Sequence, residues 1–256
     1  MRAVRVVRAV HAIRTVRARR APRAPHLGPL GLGVLLALLA LLLTGTPATA
    51  AAPPASAPRA PTGEAAGVVR GGDTLYSSAI RCTVALNATN GSGFYGIMPG
   101  RCGIVGTRWF ADPQLSIPVG VTVAATFPGS HYSVLRYTNP DLTYPSEVST
   151  PLGPRRIERA SQPLIGLSVC QSGRATGWQC GTVTAVNVSV NYPEGTVHGL
   201  FRTTLCAAPG ESGALTVSGN DAIGILVSGG NCASGGSSFH QPVSEPLSAL
   251  GLSVGY

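Results

Sequence analysis

Lysine is missing from all 256 residues, so the 19 basic side chains are arginines, and nine of them precede Ala60. From Val68 onward ten arginines face nine acids, a net of +1 against +9 for the whole chain. The bulk of the chain therefore lacks the basic excess that marks a nucleic-acid binder. No Cys-x-x-Cys pair occurs and no cysteine has a histidine at ligand spacing. That excludes the usual zinc arrangements, and no metal or other cofactor is expected. No repeat of fixed period is present. Helical periodicity is nearly absent too: only Val243–Leu250, closed by Gly251, reads as a helix, and a short one.

The N-terminal segment carries its own pattern. Residues 1–26 hold eight arginines and no acid, Leu27 to Leu43 form a Leu-rich run, and Ala48-Thr49-Ala50 provides a small-x-small exit. Residues 1–50 thus read as a secretory signal peptide. The alternative, an uncleaved anchor, is weakened because the strictly apolar Leu30–Leu43 falls short of a span of about 20 residues. Arg19-Arg20 is a weak twin-arginine signal, since no Phe-Leu-Lys follows. Residues 51–67 are rich in alanine and proline and read as an extended linker. Residues 68–256 are enough for one domain.

That domain reads as all-β. Strand-like runs are Cys82–Asn87, Phe94–Met98, Val119–Thr126, Tyr132–Tyr137, Leu164–Val169, Gly181–Val190, Val197–Thr203, Ala214–Ser218 and Ala222–Val227. Turn signals such as Asn90-Gly91, Pro128-Gly129 and Gly219-Asn220 separate them. Val186, Val188 and Val190 alternate with Asn187 and Ser189, the period of a half-buried strand. All six cysteines follow the export segment, so three disulfides are expected, with 15 connectivities open on spacing alone.

The chemistry is concentrated in Cys206-Ala-Ala-Pro-Gly210-Glu211-Ser212-Gly213-Ala214-Leu215. A serine between glycines is either an ordinary β-turn or an exposed nucleophile with the N–H groups of Gly210 and Ser212 facing a developing oxyanion. Its context resembles the nucleophile loop, G-D-S-G-G, of chymotrypsin-like serine proteases, in particular the bacterial secreted group of streptogrisins and alpha-lytic protease. Phe127-Pro-Gly-Ser-His131-Tyr132, Cys170–Thr184, Asn191-Tyr192, Arg202-Thr203, Asn231–Gly236 and Gln241-Pro-Val243 agree co-linearly. The resemblance runs from about Val69 to Tyr256 and implies two packed six-stranded antiparallel β-barrels. It selects the pairings Cys82–Cys102, Cys170–Cys180 and Cys206–Cys232. It also implies a pro-region of domain size, for which residues 51–67 are too short; unaided folding or a helper from elsewhere is the expectation.

The family's catalytic histidine lies in T-A-G-H-C, where this chain reads Met98-Pro99-Gly100-Arg101-Cys102. Its aspartate lies in F-P-x-x-D-Y, where this chain puts His131. Ser212 is retained. An arginine stays protonated and accepts no serine proton. His131 as a replacement base would have to reach past Arg101, whose charge disfavours the imidazolium. Asp112 and Asp141 are substitute acids that no spacing places. His198 and His240 read as surface or packing residues. Glu211 and Ala214 replace the family's aspartate and last glycine, and Gln171 replaces the arginine that pairs with that aspartate. Glu211 is therefore expected to be solvated, protonated or newly paired, with Arg174 as a candidate partner.

Val227-Ser228-Gly229-Gly230 resembles the family strand that pairs with substrate, and Cys206–Gly210 one wall of the primary pocket. The resulting expectation is a secreted, monomeric serine-peptidase homologue without peptidase catalysis, binding peptides or protease inhibitors in the old groove. The alternatives are an active serine endopeptidase or esterase using Ser212 with a substitute base, and a structural or cell-surface domain on an Ala/Pro spacer.

Overall fold

The computed structural model describes residues 67–256. The segments expected to be signal peptide and linker, 1–50 and 51–67, lie outside the described residues except for Gly67.

Two seven-stranded sheets, each curled on itself, dominate the described residues, with two small two-stranded sheets beside them, Gly67–Val68 with Leu142–Thr143 and Glu147–Thr150 with Gly153–Arg156. In the first, Thr74–Tyr76, Arg108–Phe110, Pro118–Thr126, Tyr132–Tyr137 and Phe94–Met98 follow one another as neighbours. The ring is closed by residues 81–89, which bend between Thr83 and Leu86: Arg81–Thr83 pairs with Thr74–Tyr76, and Leu86–Thr89 with Phe94–Met98. With that bent segment taken as one strand, the barrel has six. The bend is why the single run expected over Cys82–Asn87 is two short strands.

The second sheet closes fully. Asp221–Gly229 pairs with Leu215–Ser218 on one side and Ser238–Pro242 on the other, and Ser168–Gly173 with the long hairpin Gly177–Tyr192/Gly195–Thr203 completes a ring of six. The seventh strand, Arg159–Ala160, is a two-residue parallel addition. Full closure removes the exposed edges of an open sheet. The architecture is the expected double barrel, and the one α-helix among the described residues, Ser244–Ala249, sits inside the expected Val243–Leu250.

Each barrel has its own apolar interior. Leu75, Val84, Met98, Trp109 and Leu135 fill the first; Val169, Val183, Phe201, Leu205 and Ile223 fill the second. A third cluster joins the two: Leu86, Ile97 and Val134 from one barrel meet Leu215, Val217 and Ile225 from the other, with Leu247 of the helix packed in. This shared cluster fixes the barrels against each other. Three disulfides, Cys82–Cys102, Cys170–Cys180 and Cys206–Cys232, pair as the resemblance implies.

Two local expectations are corrected. Leu164 and Ile165 are 66% and 69% exposed and lie outside any strand; the strand begins at Ser168. The valine alternation around 186–190 is broken, with Val186 exposed, because the hairpin register shifts repeatedly between Val183 and Val190 and Asn187 takes φ +54°. Each extra residue turns the following side chains to the other face.

Candidate functional site

Arg101, His131 and Ser212 are far apart in sequence but line one cavity of ≈480 Å³. Arg101 comes from the disulfide loop after Met98, His131 from the loop leading into Tyr132–Tyr137, and Ser212 from the turn before Leu215–Ser218.

The serine turn is shaped by its glycines. Gly210 and Gly213 have φ of +89° and +101°, which side chains seldom adopt. A Cβ on Gly213 would also lie 2.9 Å from both the Cβ and the carbonyl oxygen of Thr83, so the turn packs directly on the first barrel. Ser212 is exposed, and its hydroxyl donates to the Leu226 carbonyl at 3.3 Å. A peptide carbonyl is no proton acceptor of useful basicity. Among the described residues, the amides of Gly210 and Ser212 donate to no protein acceptor, whereas that of Gly213 donates to Leu226 at 2.8 Å.

Glu211 is the buried anchor of this turn, 5% exposed. Its Oε1 accepts from the amides of Ala175 and Thr176, both at 2.8 Å, its Oε2 from the amide of Ala208 at 2.8 Å, and the Thr176 hydroxyl reaches both oxygens at 3.0 Å. Burial raises the carboxyl's pKa, but the amides of Ala208, Thr176 and Ala175 together with the Thr176 hydroxyl outweigh it, leaving the group below its ordinary value. Of the three fates open to Glu211, it is newly paired. The partner is main chain rather than Arg174, whose guanidinium donates to the Thr74 hydroxyl. Gln171 turns away from the carboxylate: its Nε2 reaches the Cys206 carbonyl at 3.4 Å and its Oε1 is buried without a partner.

His131 is buried, 1% exposed. Its Nδ1 accepts from the Gly100 amide at 3.0 Å, and its own amide donates to Gln241 Oε1 at 2.8 Å. Phe127 meets the ring edge-on at 4.8 Å. Burial, aided by the charge of Arg101, lowers its pKa to about 4, so the ring is neutral near pH 7. The expected effect of Arg101 is present, but burial is the larger cause.

Arg101 is half exposed. Its guanidinium stacks over the rings of Phe127 at 4.6 Å and Tyr192 at 4.9 Å, and its Nη2 donates to Glu194 Oε2 at 2.6 Å. Glu194, not singled out in the sequence, lies at the tip of the long hairpin; nothing in the spacing connects it to residue 101.

Beside Ser212 lies a second cavity of ≈480 Å³, lined by Ala207–Gly210 and by Leu226, Val227, Ser228 and Gly229, with no charged side chain among the described residues. Gly230 does not line it; its amide bonds to Ser237 and its carbonyl to Ala207. Ladder contacts on the Ser212 side of Asp221–Gly229 end at Leu226, which bonds to Ala214 and Gly213. Beyond it, among the described residues, Val227–Gly229 has a ladder partner only in Ser238–His240.

Other candidates lie elsewhere. His240 is fully buried between the hydroxyls of Thr216 (2.8 Å) and Thr203 (3.0 Å), and burial lowers it to about 3. His198 sits at the surface against Ser189, and Asp112 binds the amides of Ser116 and Ile117.

Comparison with known proteins agrees with this geometry. The chain is 37% identical to streptogrisin-D of Streptomyces griseus over 196 residues (75% of this chain, 50% of that protein) and 36% identical to glutamyl endopeptidase 2 of the same organism over 195 residues (73% and 99%). It belongs to the streptogrisin and alpha-lytic protease group of chymotrypsin-fold serine proteases. Among solved structures, alpha-lytic protease homolog N4 is 46% identical with a TM-score of 0.67, covering 73% of this chain and 98% of that one. The chain spans 50% of the length of streptogrisin-D and 41% of that of streptogrisin-C. No protein-family model matches it.

Proposed function

We propose that this protein is a secreted serine-peptidase homologue that does not catalyse peptide hydrolysis and binds peptides or protease inhibitors along Val227–Gly229. The carrying observation is the environment of Ser212. Its hydroxyl donates to the Leu226 carbonyl, and the cavity it lines offers it an always-charged arginine and a buried histidine whose Nδ1 already accepts from Gly100. In this reading Arg101 occupies the family's histidine position and His131 its aspartate position. Losing a triad member costs on the order of 10⁴–10⁶ in kcat. A groove strand with one open side, beside an uncharged pocket, supports peptide addition as an extra strand.

The competing reading, a serine endopeptidase or esterase with a substitute base, draws support from one observation: the amides of Gly210 and Ser212 are unspent. A fluorophosphonate probe separates the two. Native protein should remain unlabelled at Ser212 over hours, as the Ser212→Ala variant does; rapid labelling confined to Ser212 would favour the enzyme.

A further inference from the structure

Three of the ten arginines among the described residues, Arg81, Arg101 and Arg174, line the cavity that contains Ser212. Among the described residues the only acid lining it is Glu211, whose carboxylate is already caged by three amides and a hydroxyl. Described residues carry a net charge of only +1, ten arginines less nine acids, so this concentration is local. The same cavity takes in the turn bearing the two unspent amides of Gly210 and Ser212, and Ser212 itself. The cavity wall thus brings together donors and cations of the kind that hold an anion.

Strand direction says which anion. Leu226 lies at the Ser212 end of the open strand Val227–Gly229, because its carbonyl accepts from Ser212 Oγ and its amide bonds to Ala214. A peptide that adds in the antiparallel sense, the more stable ladder, runs toward Leu226 and brings its C-terminal end to Ser212. We infer that the cavity holding Arg101, Gly210 and Ser212 seats the free C-terminal carboxylate of a bound peptide, with Arg101 as its counter-ion. The protein would then take finished peptide ends of the kind proteolysis releases, rather than continuous chain. Arg101 can serve because its bond to Glu194 is an exposed ion pair, 46% and 49% accessible, which a ligand carboxylate displaces at little cost.

This inference rests on the groove proposed above, and the test keeps the two apart. The purified protein is titrated with three pools of N-acetylated random hexapeptides: one ending in free carboxylate, one amidated, and one amidated but containing an internal aspartate or glutamate. The free-acid pool should bind at least ~10-fold more tightly than the amidated pool, a difference worth about 1.4 kcal/mol. Arg101→Gln should reduce that preference, read as the ratio of the two affinities, below threefold, Arg101→Lys should restore part of it, and Glu194→Gln should increase it. Equal binding of free-acid and amidated pools would overturn the carboxylate site and leave the groove standing. Free-acid binding matched by the acidic amidated pool would overturn the C-terminal assignment. Failure of all three pools to bind removes the groove, and the inference with it.

Discussion

Arg101 and Glu194 meet 2.6 Å apart, one from the disulfide loop of the first barrel and the other from the tip of the second barrel's long hairpin. The aromatic pair Phe127 and Tyr192 holds the same guanidinium. A charge that does not deprotonate thus stands in the cavity that holds Ser212, and the consequences can be measured.

Ser212 should show no histidine-like pH dependence. His131 takes a proton only near pH 4, so between pH 6 and 8 any ester hydrolysis should rise only with hydroxide, and Ser212→Ala should leave it unchanged. A sigmoidal, serine-dependent rise in that window would count against the proposed loss of catalysis.

Rebuilding the base should restore chemistry. Arg101→His with His131→Asp places an imidazole near Ser212 and a carboxylate where the Gly100 amide can bind it. Ester hydrolysis should rise at least ~10²-fold in the double variant, and far less in either single variant. Additive single effects would show that the two positions do not act on one another.

Glu211 should matter to the fold rather than to proton transfer. Glu211→Ala leaves the amides of Ala175, Thr176 and Ala208 without their acceptor and should cost about 2–3 kcal/mol in urea unfolding. Since its folded pKa lies below the ordinary 4.5, its contribution is complete above that value and is lost as pH falls through the folded pKa. Unchanged stability in Glu211→Ala would remove it as the anchor.

The two buried histidines predict a second acid sensitivity, one that sets in at higher pH. Both are neutral in the fold, at about 4 for His131 and about 3 for His240, against 6.5 when unfolded. Below pH 6.5 the unfolded chain binds protons that the native state refuses. Stability is therefore full above pH 6.5 and falls toward pH 4 by up to about 1.4 kcal/mol per pH unit for each histidine. Urea midpoints at pH 7.5 and 5.0 should differ accordingly, and less so in His240→Gln. A pH-independent midpoint would contradict the burial of these rings as neutral groups.

What could be read in advance followed the physics of each signal. Phe94–Met98 and Tyr132–Tyr137 were legible to the residue because Asn90-Gly91 and Pro128-Gly129 bound them with strong turn chemistry. Leu164–Val169 was not: a short apolar run carries no period, and Leu164 to Leu167 forms a hydrogen-bonded turn instead. Asn187 hides a bulge that no alternation count detects. At the site, Arg101, His131 and Ser212 could be placed together by resemblance. The partners of Glu211 could not, because amide donors at residues 175 and 176 leave no mark in side-chain identity. Glu194 was missed for a related reason: its meeting with Arg101 is made by how far a hairpin reaches, not by local spacing.

The amide cage around Glu211 bears on how this loop tolerates change. Residues 175 and 208 contribute only through N–H groups that every residue except proline possesses, so their side chains are free to vary while the carboxylate remains held. Drift at these positions passes unseen by the serine turn. A library randomised at 175 and 208 should keep the fold in nearly all members and lose it where proline enters, which makes the rim of this cleft a place to install new recognition without disturbing its floor.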